Sequence, residues 1–288
     1  MMNKPEVKLV ECPRDAMQGL ADFVPTKIKA SYINLLLQVG FDTIDFGSFV
    51  SPKAVPQMKD TAELLKQLNM EHSYSKLLAI VANERGAEEA ASFEEISYLG
   101  FPLSVSETFQ MRNTNKSIAQ AMDIVKNIQD ICVAKNKTQV VYLSMGFGNP
   151  YGDPYSKDYI VDFVHKLDQI NVQIISLSDT IGVSDKANID YLFKELIPAF
   201  PNIEFGAHLH SHPKEAYNKI QYAYEAGCRR FDGAMKGFGG CPMAKDDLVG
   251  NIATEAIIDY LSKLNVNLNL NKEKFALALQ KATEVFPL

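Results

Sequence analysis

Residues 204–232 read EFGAHLHSHPKEAYNKIQYAYEAGCRRFD, and their reading decides the fold. Residues 204–209 have the short, largely apolar pattern of a strand. Residues 214–226 carry apolar side chains at helical spacing, and Gly227 comes next as a stop signal. A second strand pattern occupies 229–232. Strand, helix and strand in about thirty residues form a βαβ unit, which lays its strands parallel.

The same alternation runs along the rest of the chain. Further strand patterns lie at 7–11, 43–46, 74–81, 96–103, 139–144 and 173–177. Helical patterns lie at 26–38, ended by Gly40, and at 117–135, 158–169 and 186–199. Eight strands alternating with helices over 288 residues predict an α/β fold, the TIM (β/α)8 barrel, which takes about 250 residues. Polar residues gather at the strand ends. Arg14 and Asp15 follow the first strand in a loop, and Asp45 ends the second. Glu107 follows the fourth, Asn149 the fifth and Asp179 the sixth. His208 and His210 end the seventh, and the Gly237–Cys241 segment follows the eighth. In a barrel these C-terminal ends converge on one face, which carries the active site. An open doubly wound sheet is the alternative, but it gives no reason for polar groups at all these ends. One catalytic domain is expected over 1–288, with a helical cap from about 263 whose clearest helix is 272–283.

Hydrophobic residues at 47% and charged residues at 22% are those of a globular domain with a sizeable core. The net charge of −6, without a basic stripe, argues against nucleic acid as a partner. No apolar run reaches the roughly 18 residues of a membrane span. The N-terminus shows no signal core, so the expected location is cytoplasmic. Cys12, Cys132, Cys228 and Cys241 are scattered without a CxxC, against a disulfide framework in that compartment.

His208 and His210 stand two apart on a strand, so both imidazoles face one way. With oxygen ligands from other strand ends they suit Mg²⁺, Mn²⁺ or Zn²⁺. His212 reads as a solvent-facing residue that does not ligate. Arg14 and Asp15 are either a solvated surface pair or a metal ligand beside a guanidinium aimed at a substrate oxygen. Cys241 sits among Gly237, Gly239 and Gly240, which favours a reactive thiol over packing; Cys12, Cys132 and Cys228 have no such setting, and Cys132 in a helical pattern and Cys228 beside a strand read as packing. The 146–150 segment, Gly-Phe-Gly-Asn-Pro, lacks the spacing of a nucleotide loop.

Taken in order, Pro13-Arg14-Asp15, Ser48-Phe49-Val50-Ser51-Pro52-Lys53 and Ser106-Glu107-Thr108-Phe109 resemble hydroxymethylglutaryl-CoA lyases. So do Ser178-Asp179-Thr180-Ile181-Gly182, His208-Leu209-His210, Gly239-Gly240-Cys241-Pro242 and Gly250-Asn251-Ile252-Ala253-Thr254-Glu255. The resemblance spans nearly the whole chain and sets it among metal-dependent TIM-barrel enzymes related to isopropylmalate synthase. It implies cleavage of 3-hydroxy-3-methylglutaryl-CoA to acetyl-CoA and acetoacetate, in leucine degradation and ketone body metabolism. It implies Mg²⁺ or Mn²⁺ on Asp15, His208, His210 and Asn251. Arg14 would stabilise the enolate, Cys241 would protonate it, and Asp179 would lie near the hydroxyl that loses its proton. Asp45, at the position of a family glutamate, joins the catalytic set, and Glu107 and Asn149 join Arg14 in substrate binding. The partners expected are an acyl-CoA and, in a homodimer, a second copy of the chain.

The chain departs from the family at three places. The family's Glu-Val-Gly-Pro-Arg-Asp-Gly-Leu-Gln-Asn-Glu is one residue shorter before the proline here and differs after Gln18. Asp45 is one methylene shorter than glutamate, and the family's HxHDT is His208-Leu209-His210-Ser211-His212. The departures motivate two alternatives. One is a lyase or aldolase on another 3-hydroxyacyl-CoA; the other is an acyl-CoA-binding paralogue without turnover.

Overall fold

The computed structural model describes residues 7–240 and 249–286. In chain order the first half runs β1 (Lys8–Glu11), α1 (Pro13–Gln18), α2 (Thr26–Leu36), β2 (Thr43–Ser48), α3 (Thr61–Leu65), β3 (Lys76–Ile80), α4 (Glu84–Ala91), β4 (Ile96–Ser104), α5 (Glu107–Thr114) and α6 (Ile118–Ala134). The second half runs β5 (Thr138–Ser144), α7 (Lys157–Gln169), β6 (Ile174–Asp179), α8 (Lys186–Ala199), β7 (Glu204–Ser211), α9 (Pro213–Glu225), β8 (Arg230–Gly233), β9 (Gly250–Asn251), α10 (Thr254–Lys263) and α11 (Lys272–Val285). Strands β1 to β8 pair in parallel with their sequence neighbours, and β1 also pairs with β8, so the sheet closes into a TIM barrel. All eight strand patterns of the sequence are strands of this barrel.

Local chemistry sets the helix starts. Ser117 caps α6 in a reciprocal box with Gln120, and Asp185 does the same for α8 with Asn188. Asn83, Ser106, Ser156 and Asn271 accept from backbone N–H groups at the starts of α4, α5, α7 and α11. Gly40 and Gly227 carry the positive φ, 97° and 103°, that turns the chain after α2 and α9.

Strand alternation divides the interior in two. On β6, Ile175 and Leu177 join the large apolar shell between strands and helices, whereas Ile174 joins the small cluster inside the barrel. The lumen wall also includes Leu78, Ile80, Tyr98, Val140 and Tyr142. At its floor Lys8 and Arg230 both pair with Glu204, and Arg230 also reaches Asp42 at 3.4 Å. Charges there are paired rather than left bare, which burial requires.

Several sequence expectations need correction. Pro13 starts a helical turn, α1, and not a loop, because its fixed φ suits a first helical position. Asp45 lies within β2, which continues to Ser48 through a bulge between Asp45 and Gly47. Gly47, just after the bulge, has to be glycine because a Cβ there would lie 2.5 Å from Thr61 Cγ2. Helices α3, α4, α5 and α10 have no counterpart in the sequence patterns; each is short or rich in small residues. Beyond 263, α11 packs on α2, with its Phe275 against Phe41 in the turn after α2 and Phe286 at its C-terminal cap against Tyr32 of α2. Phe286 also stacks on Phe238, ring centroids 4.7 Å apart.

Candidate active site

The C-terminal strand ends enclose a chamber of about 400 Å³. Arg14, Asp15, His208 and His210 line it together with the apolar Val55, Ile80, Pro102 and Phe109. A few polar groups converging on an apolar cavity are the usual composition of a small-molecule site.

The α1 turn directs Arg14 and Asp15 into this space. The Arg14 guanidinium is held by Asp45, with Nε donating to Oδ1 and Oδ2 at 3.1 and 3.0 Å and Nη2 to Oδ2 at 2.5 Å. Its Nη1 donates to Asp15 Oδ1 at 3.0 Å and to Gln18 Oε1 at 2.8 Å. Bidentate pairing fixes the plane of the cation. Burial alone would push the Asp15 carboxyl up, but Arg14 and the two histidines outweigh it and hold the group at about 2. Burial dominates at Asp45, which is raised to about 6 despite Arg14.

His208 and His210 both point into the lumen from β7, with ring centroids 5.3 Å apart. His210 Nδ1 is 3.1 Å from the carbonyl of Thr180, which can only accept, so the proton is on Nδ1. Its Nε2 is then a bare lone pair, buried and without a hydrogen-bond partner. His208 Nδ1 is 3.1 Å from Asp232 Oδ2, which likewise leaves Nε2 toward the chamber. Burial lowers the His210 pKa to about 4, so the ring is neutral near pH 7. At His208 burial pulls down as well, but the bond to Asp232 outweighs it and the net shift is upward.

These features pass a test for a cation site. Asp15, His208 and His210 offer one carboxylate oxygen and two ring nitrogens, all within 4.8 Å of one another. Each histidine is oriented through its other nitrogen, as metal-binding imidazoles are. Asn251 joins them because β9 pairs antiparallel with β7, placing Asn251 opposite His210. Its Nδ2 donates to Asp15 Oδ2 at 2.7 Å and to the Phe238 carbonyl at 2.9 Å. Oδ1 is the atom it has to offer a cation.

Other expected site residues sit elsewhere. Asp179 shares the outward face of β6 with Ile175 and Leu177, 1% exposed and away from the chamber lining. Its oxygens accept from Val183 N, Ser184 N and Lys219 Nζ at 2.9, 2.9 and 2.8 Å. Glu107 is exposed at the start of α5 and accepts from Ile118 N at 3.1 Å, capping the next helix. Asn149 folds its own turn, accepting from Tyr151 N and Asp153 N and donating to Asp153 O, each at 3.1 Å. Neither is among the residues lining the chamber. Cys241 lies outside the described residues. The loop leading to it is pressed on the site: a Cβ on Gly239 would be 2.6 Å from Asn251 Nδ2 and 3.1 Å from the Asp15 carbonyl. His212 is exposed and caps α9, the solvent-facing position read from the sequence.

The chamber also contains residues that the sequence patterns do not single out. Ser178 lines it from β6, Thr180 from the turn just after, and Tyr142 and Ser144 from β5. A signal for them exists: on an alternating strand ending in Asp179, the lumen belongs to its neighbours. The edge of Tyr142 meets the His208 ring, with centroids 5.4 Å apart.

Residues 7–281 match the HMGL-like family. The chain is 31% identical over 262 residues to hydroxymethylglutaryl-CoA lyase of Bacillus subtilis, covering 91% of this chain and 87% of that protein. It is 32% identical over 272 residues to the mitochondrial hydroxymethylglutaryl-CoA lyase of Mus musculus, covering 93% and 82%. The crystal structure of the Bacillus subtilis HMG-CoA lyase superposes with a TM-score of 0.90 at 30% identity, over 99% of this chain and 95% of that one. An HMG-CoA lyase of Acinetobacter baumannii, solved with coenzyme A and 3-methylmalate, superposes with a TM-score of 0.89 at 26% identity, over 97% and 90%.

Proposed function

The chain belongs to the HMGL-like family, and from that premise we propose that it is a divalent-metal-dependent lyase cleaving 3-hydroxy-3-methylglutaryl-CoA to acetyl-CoA and acetoacetate. The products place it in leucine degradation and ketone body metabolism. One observation carries the reading: the lone pair of His210 Nε2, buried and unpartnered, faces the chamber beside His208, Asp15 and the clamped Arg14. A cation site beside a fixed guanidinium accounts for those four groups lining one chamber.

In this proposal Asp15, His208, His210 and Asn251 hold Mg²⁺ or Mn²⁺. The bound ion supplies a Lewis acid at the substrate's tertiary hydroxyl and an anchor for the departing acetoacetate. Arg14 stabilises the enolate oxygen of the acetyl-CoA half as the carbon–carbon bond opens. Its guanidinium cannot swing away, because Asp45 holds two of its nitrogens. Asp45 thus acts through Arg14, as a positioning residue. Cys241 is the proton donor to the enolate carbon, and the placement of Gly239 against Asp15 and Asn251 supports bringing that loop to the site. Asp179, with both oxygens engaged on the far side of β6, supports the site and does not exchange protons with substrate. Among the described residues no helix is long and apolar enough to cross a membrane. We place the enzyme in the cytoplasm, acting on a soluble acyl-CoA.

The test is acetoacetate release from 3-hydroxy-3-methylglutaryl-CoA by protein stripped with chelator and then reloaded. Activity should vanish on stripping and return with Mg²⁺ or Mn²⁺. Full turnover by protein shown by elemental analysis to be metal-free would refute the metal reading. Absence of acetoacetate with either metal would refute the substrate.

A further inference from the structure

We propose that Lys219 is a positioning residue for the cation cradle, fixing the aim of His210 by tying the backbone of β7 to the turn after β6. This rests on the functional reading above, in which His210 is a cation ligand. Lys219 belongs to α9 and is 4% exposed. Its ammonium donates to Asp179 Oδ2 at 2.8 Å, to the Gly182 carbonyl at 2.9 Å and to the His210 carbonyl at 3.0 Å. An ammonium has three protons, so all are in use. Two acceptors lie in the 179–182 turn and the third is the main chain of the ligand itself.

The same turn supplies the Thr180 carbonyl that receives the His210 Nδ1 proton. The imidazole is therefore fixed at two points, its main chain and its ring. Both points belong to segments that Lys219 joins. On the chamber side Nε2 has no hydrogen-bond partner, so no protein hydrogen bond sets the ring's direction from there. Orienting contacts behind a metal ligand are typically worth about 10- to 100-fold in affinity, and the direction of a lone pair tolerates error of only about 10–20°.

Asp179 completes the device. A buried ammonium needs a counter-charge, and Asp179 provides it while accepting from Val183 N and Ser184 N. Two accounts of Lys219 then compete. In one it orients His210; in the other it only neutralises Asp179. Removing both charges together separates them, because neutralisation is then no longer needed and orientation still is.

Wild type, Lys219→Met and the double variant Lys219→Met with Asp179→Asn are titrated with Mn²⁺, free ion being followed by electron paramagnetic resonance. In parallel, ¹⁵N-histidine NMR of the metal-free proteins reads the tautomer of His210. Lys219→Met should weaken Mn²⁺ binding by about 10- to 100-fold. The double variant should recover thermal stability but not Mn²⁺ affinity, and its His210 should lose the uniform Nδ1–H tautomer. If Lys219→Met does not fold, the double variant decides alone. A double variant that binds Mn²⁺ within about twofold of wild type, or keeps the uniform tautomer, overturns the proposal. Should that happen while wild type binds Mn²⁺ and cleaves substrate, the functional reading stands and only the role of Lys219 falls. Wild type that binds no Mn²⁺ overturns both.

Discussion

Replacing Glu11 by Gln should remove a pH-dependent weakness of the fold. Glu11 faces the helical shell at the end of β1. Oε1 accepts from Met235 N at 2.8 Å, and Oε2 lies 2.5 Å from the Thr254 hydroxyl. It is 0% exposed. Burial raises its pKa from 4.5 to about 8, against the lowering effect of those two hydrogen bonds. The folded protein therefore holds a proton that the unfolded chain releases above about pH 4.5. The stability contributed is complete below that pH and is lost as pH rises toward 8. Each pH unit within the window costs about 1.4 kcal/mol, so the step from pH 6 to pH 7.5 costs about 2 kcal/mol. For a chain of this size that is a Tm change of about 4 °C. Gln can accept from Met235 N and donate to Thr254 Oγ1 once that hydroxyl turns, so the variant keeps both contacts without the ionisation. Urea melts of both proteins at pH 6 and pH 7.5 measure it. The wild-type minus variant difference should move by about 2 kcal/mol between the two pH values, and taking that difference cancels groups common to both. If the two proteins lose stability in parallel, Glu11 does not hold a proton in the folded state and the reasoning is wrong.

Arg14→Met should lower kcat by about 100-fold or more with a smaller effect on KM, since the guanidinium faces charge that develops in the transition state; an unchanged kcat would leave it a binding residue. Asp179→Asn should cost less than about tenfold in kcat yet lower Tm, because it leaves Lys219 buried without its counter-charge; a loss of several hundredfold with an unchanged Tm would return Asp179 to the reaction. Cys241→Ala should retain Mn²⁺ binding and lose most turnover, as expected of a lost proton donor, for which the loss is about 100- to 10,000-fold; near wild-type cleavage by that variant would make the loop structural.

The barrel is legible in the sequence because each strand is a short β-branched run between helices with readable stops, such as Gly40 and Gly227. The cation cradle is legible because two histidines at spacing two share a face. The departures from expectation have definite causes. The apolar run of β6 ends at Leu177, two residues before the strand does, which hides the outward parity of Asp179 and the lumen positions of Ser178 and Thr180. At Asp45 the bulge before Gly47 carries β2 past the point where the alternating pattern fails. Glu107 and Asn149 are polar residues after strands, as catalytic residues often are, but their partners are the backbone groups of the next helix and turn. Single-residue chemistry does not distinguish a cap from a ligand there. Cys132 and Cys228 are buried, as packing residues should be, and so is Cys12.

The stack of Phe238 on Phe286 has a temporal consequence. Phe238 also gives its carbonyl to Asn251, which bonds Asp15. A nascent chain that has already exposed all eight barrel strands still lacks the ring on which Phe238 rests. The stack that braces Phe238 therefore forms only after Phe286 has been synthesised. All eight barrel strands precede that ring in the chain, so the approach to Cys241 gains its brace only with the segment that follows α10.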